Sequence, residues 1–143
     1  MMMTEEWEEH PIELSPHRQA TVRSMIEAWS AHIAIFIAEM DVDIDVAYDW
    51  WGVDDFIAAL CLRDFISGAR AALSPADLPD FDAAILPIDE EFMRITVADP
   101  DRSMARIGGF ETREGWWWGR VPREGPIAAE LASWSWPREL SGE

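Results

Sequence analysis

Apolar residues recur at spacings of three and four along Val22, Met25, Ile26, Trp29, Ile33, Phe36, Ile37 and Met40. That period places them on one face of an amphipathic helix. Ser15-Pro16 reads as its start, a capping serine followed by proline at the first helical position. Ala31, Ala34 and Ala38 flank the stripe and would let a second helix approach closely. Residues 41–49 switch to period two, with Asp41, Asp43 and Asp45 alternating with Val42, Ile44 and Val46. This is expected to be a strand-like or extended connector. A second helix is expected from about Trp50–Val53 to Leu73, with Asp54 and Asp55 at the positive end of its dipole. Its apolar residues wrap widely (Phe56, Ile57, Leu60, Cys61, Leu62, Phe65, Ile66, Ala69), as in a helix buried between neighbours.

The later chain is more broken. Ser74-Pro75 repeats the start signal and predicts a short helical turn. Pro79 and Pro87 argue against one straight helix, so a separate helix is expected from Pro87 to about Val97, ended by Asp99-Pro100-Asp101. Residues 102–123 carry Arg102, Arg106, Arg113, Arg120 and Arg123 among several glycines and the run Trp116-Trp117-Trp118. A hairpin of Arg106–Phe110 with Trp116–Val121 fits that punctuation. Gly125-Pro126 opens a last short helix with Ile127, Leu131 and Trp134 on one face. The pattern predicts a mainly α chain: a compact bundle of about four helices with an irregular or hairpin-like Trp- and Arg-rich excursion near residues 102–123. Residues 1–14 are expected to be a flexible acidic arm, 15–136 a single globular helical domain and 137–143 a polar tail.

Composition supports a core and narrows the partners. The chain has 143 residues, 49% of them hydrophobic, enough apolar mass to drive collapse. Its formal charge is -17, from 28 acids against 11 bases, and every base is arginine. Such a charge repels phosphate backbones and anionic membrane surfaces, which argues against direct nucleic-acid binding and against a membrane partner. No apolar run approaches the ~20 residues that cross a bilayer. The first nine residues are acidic where a signal peptide is basic and then apolar. The single Cys61 permits no internal disulfide. Cytoplasmic residence is the expectation.

No enzyme signature stands out. Asp41, Asp43, Asp45 and Asp49 resemble the start of a calcium loop, but the sixth position is Val46 and the twelfth Gly52. The loop would lack both its turning glycine and its bidentate glutamate, so no metal or other cofactor is assigned. Asp89, Glu90 and Glu91 read as an acidic first helical turn with no partner residue in view. His10, His17 and His32 have no zinc-site spacing, and His32 reads as a packed boundary residue. Cys61 reads as a small hydrophobe rather than a nucleophile. The tryptophan run is the least ordinary feature. On an extended segment neighbours point to opposite sides, so at least one of the three should be partly exposed. Arginines beside it can dock on the chain's own acids.

These observations favour an acidic cytoplasmic interaction protein, such as an inhibitor or an immunity- or antitoxin-like partner of a basic macromolecule, over an enzyme. Its contact residues are expected at Asp41, Asp43, Asp45 and Asp49 and at Trp116, Trp117, Trp118 and Arg120. Two alternatives are a small helical enzyme or ligand-binding domain with a carboxylate-bound divalent ion, and a homo-oligomer joined through the tryptophan run.

Overall fold

The computed structural model describes residues 6–40 and 51–133. The fold is mainly α, with five helices and two small antiparallel sheets among the described residues. Strands β1 (Pro11–Ser15) and β2 (Arg18–Thr21) form a hairpin that leads into helix α1 (Val22–Glu39). Helices α2 (Val53–Ala72) and α3 (Leu78–Ile95) follow, then β3 (Thr96–Ala98), α4 (Ser103–Gly108), β4 (Arg120–Pro122) and α5 (Pro126–Ala132).

The helix α1 buries Val22, Met25, Ile26, Trp29, Ile33 and Phe36, the face that the spacing predicts. It starts later than Ser15-Pro16. Those two residues lie at the β1–β2 turn, where Ser15 Oγ accepts from the His17 N–H at 3.3 Å. The helix is capped instead by Thr21, whose Oγ1 accepts from the Ser24 N–H while Ser24 Oγ accepts from the Thr21 N–H. This reciprocal capping box satisfies two backbone donors, which a cap at Ser15 would place too early for the apolar stripe. The segment expected as a loose arm is structured from Glu6 onwards. A 3-10 turn spans Glu6–Glu9, and Trp7 and Ile12 are buried. Their two side chains join the common core, and Trp7 meets Phe81 edge to face.

The helix α2 follows its predicted span closely. Carboxylates gather at its start: Asp55 accepts from the Gly52 N–H and Glu130 of α5 accepts from the Val53 N–H. Both suit the positive end of a helix. Its burial is less complete than its composition suggests, since Phe65 is exposed and Cys61 and Leu62 are half-buried.

The helix α3 corrects the expectation of a break at Pro87. Pro79 sits in the first turn, where its missing N–H has no partner to lose. Pro87 lies inside the helix on an exposed face, beside an equally exposed Ala83 whose carbonyl can turn to water. The buried stripe Phe81, Ile85, Asp89, Phe92 and Ile95 runs through both halves and holds them as one helix.

The Trp- and Arg-rich excursion is not a hairpin of Arg106–Phe110 with Trp116–Val121. The first segment belongs largely to α4, which begins where Asp99 accepts from the Ser103 N–H and ends at Gly109 in the left-handed region (φ 77°). The strand β4 pairs with β3, Val97 opposite Val121. The Asp99 N–H to Gly119 carbonyl bond, at 2.7 Å, extends that ladder. This pairing returns the tryptophans to α2 and α3.

Candidate functional site

Two aspartates organise the side chains around α2. Asp89 of α3 is buried and accepts from Trp29 Nε1 at 3.0 Å and from both Nε and Nη2 of Arg63 on α2. One heptad away on each helix, Arg70 grips Asp82 in the same two-pronged way. Arginine alone has the planar fork for this geometry. The two rungs couple antiparallel helices by side chains, one rung dry and the other in water. At the exposed rung, the Arg70 hydrogen bonds hold the Asp82 carboxyl below its usual range.

Asp64, next to Arg63, is the second centre. It accepts from Trp117 Nε1 at 2.9 Å and Trp118 Nε1 at 3.0 Å, and pairs with Arg113 at 2.7 Å. The Arg63 guanidinium lies 4.4 Å from the Trp117 ring centroid, a cation–π contact. Trp117 and Trp118 are thus buried and hydrogen-bonded within the chain, while Trp116 is 42% exposed. The segment is a 3-10 turn rather than a strand, yet one ring of the three does remain at the surface. Arg120 is turned inward on the chain, donating to Thr96 Oγ1 and to the Met93 and Thr96 carbonyls. Of the contact residues expected from sequence, Trp117 and Trp118 therefore meet at Asp64, Trp116 lies against Trp117, and Arg120 turns to β3 and the end of α3 instead. Trp116 leaves part of its ring at the surface. Asp41, Asp43, Asp45 and Asp49 lie outside the described residues.

A groove opens beside Asp64. It has a volume of about 540 Å³ and lies over the outward face of α2, with β1 as one wall and Phe110 and Arg113 as the other. Its size falls within the roughly 300–1,000 Å³ of ligand pockets. The floor is Cys61, Phe65, Gly68 and Ala72, at spacings of four, three and four along α2. Phe110 stacks at a tilt on Trp118, 5.2 Å between centroids, and carries the Arg113 guanidinium at 5.1 Å. Glu13 and His10 stand at the β1 side. The charged lining is Glu13, Asp64 and Arg113, and Arg113 is already paired with Asp64. Burial, and then the Asp64 carboxylate, push the Cys61 thiol above its ordinary range. A thiol kept protonated is a poor nucleophile.

Sequence reasoning overlooked this groove because its floor carries the same apolar letters as a buried helix face. The signal was Gly68, a glycine within the span of a strong helix. The aspartates were harder to place. Asp89 reads as part of an acidic first turn, but it sits in the second half of α3 and meets Arg63 from 26 residues away. Among the described residues no group of three or more His, Cys, Asp or Glu side chains could hold a metal ion. No helix among them is long and apolar enough to cross a membrane.

No family model, curated protein or solved structure matches the chain.

Proposed function

We propose that this protein is an acidic cytoplasmic interaction protein that binds a basic macromolecule, in the manner of an inhibitor or an immunity- or antitoxin-like partner. The observation that carries the reading is how the chain's scarce cations are used. Arg23, Arg63, Arg70, Arg94, Arg113 and Arg123 are ion-paired within the chain, and Arg102 and Arg120 are bonded to its carbonyls. Among the described residues, Glu13, Glu27, Asp54, Asp80 and Glu90 are exposed and carry no ion pair. Most of the described arginines are therefore engaged within the fold, with Arg18 exposed and carrying no ion pair among the described residues, and the surplus carboxylates of a -17 chain outnumber them at the surface. A surface of one sign steers and orients an oppositely charged protein. Asp41, Asp43, Asp45 and Asp49 add to the same surplus and are the expected contact carboxylates.

The test is capture from a host lysate on immobilised wild-type protein at low salt, with elution by a salt gradient. A parallel column carries the protein with all four of those aspartates changed to asparagine. A basic protein should elute from the first column at moderate salt and be largely lost from the second. Retention that is indifferent to salt, or equal on both columns, rejects the reading.

A further inference from the structure

Gly68 has no packing reason to be glycine. It lies inside α2, where glycine is less favourable than alanine, and a Cβ built there would meet nothing within 4 Å. What the missing side chain does is keep the middle of the groove open, with helix backbone as its floor. Around it, Phe65 is 37% exposed, an aromatic ring left uncovered within the same groove. On the rim, Glu13 is exposed and carries no ion pair among the described residues. Asp64 and Arg113 offset one another, so the groove's uncompensated charge is the single negative charge of Glu13. Among the described residues the β1 wall has a strand partner on one side only, β2, which favours an extended polypeptide over a small amine as occupant.

We propose that the groove seats an anchor segment of the basic partner. A large apolar side chain lies over Gly68 between Phe65 and Phe110, and an adjacent arginine or lysine pairs with Glu13. This deepens the interaction reading above and rests on it. An apolar anchor in a pocket with a charge at its rim is the usual form of an interface hot spot.

The test uses the full-length, ¹⁵N-labelled protein and two probes, acetyl-Phe-Arg-amide and its neutral isostere acetyl-Phe-citrulline-amide. The arginine peptide should give saturable shifts of the Ile12, Glu13, Gly68 and Phe110 amides, at an affinity about fivefold or more above the citrulline peptide. Gly68→Leu should abolish those shifts while its melting temperature holds or rises. Phe65→Ser, at a site already exposed, should weaken both peptides. Glu13→Gln should bring the arginine peptide down to the citrulline level. Equal affinity for the two peptides, shifts that survive in Gly68→Leu, or shifts scattered over the acidic surface would each overturn the assignment. Gly68→Leu keeps every carboxylate, which separates this proposal from the reading beneath it. If the basic protein captured by wild type is held as firmly by Gly68→Leu, the groove is not its seat and the interaction reading stands. If wild type holds no basic protein, both fall.

Discussion

At the residue scale, Asp89 of α3 ties that helix to α1 and α2, and Asp64 of α2 ties the Trp- and Arg-rich segment to the helices. Asp89 is 8% exposed and meets Arg63 and Trp29 in a nearly dry setting. Such a pair adds little over an apolar substitute, but removing one member strands the other. Asp89→Ala should therefore destabilise by about 3–5 kcal/mol in urea unfolding. A loss within about 1 kcal/mol would mean that Arg63 finds water or another acceptor. Asp64 accepts three N–H groups from side chains 49 to 54 residues away. Cys61 reports on the same corner without being part of it. Its thiol is held above the ordinary range by burial and by Asp64. A raised folded value stabilises the fold fully below the unfolded thiol value of 9.0, and that contribution fades as pH rises past it. Alkylation by iodoacetamide should accordingly stay slow at neutral pH and accelerate at a higher pH than in the unfolded chain. Coincident profiles for folded and unfolded protein would remove the basis for treating Cys61 as inert.

At the element scale, the long helices were legible because their burial is periodic. The α1 stripe and the span of α2 could be read directly, since a period of 3.6 leaves few alternatives over 18 to 20 residues. Legibility failed where a local signal competed with a distant contact. Ser15-Pro16 looks like a cap in isolation, yet burial of Trp7 and Ile12 draws its surroundings into a hairpin. Pro87 looks like a break, yet an exposed proline costs less than splitting the stripe from Phe81 to Ile95. The pairing of β3 with β4 joins segments some twenty residues apart, and nothing local announces it. Asp64 and Arg113 carry no sequence sign of their meeting, so the groove they border was invisible as well. Gly68→Ala offers a check on α2. With open space at the new methyl, the variant should gain about 0.5–1 kcal/mol of stability. A loss instead would mean that the helix face is covered in the native protein.

At the scale of the whole molecule, charge dominates. Exposed pairs such as Arg70–Asp82 and Arg94–Glu91 are screened by salt and hold little stability. Hydrogen bonds from those arginines keep the Asp82 and Glu91 carboxyls below the usual range. Their contributions are present above the ordinary carboxylate value and fade as pH falls through the lowered ones. Against these small terms stands the self-repulsion of a net -17. Repulsion should win, so the melting temperature should rise between about 10 mM and about 300 mM NaCl as charges are screened. A fall over that range would assign more stability to the surface pairs than their exposure warrants. The same field should act on a partner at a distance, before contact. The most direct measurement is the association rate constant between wild-type protein and the basic protein captured on it, taken from about 20 mM to about 500 mM NaCl. Steering by the acidic surface predicts a fall of about tenfold or more, with dissociation changing much less; an association rate unmoved by salt would contradict it.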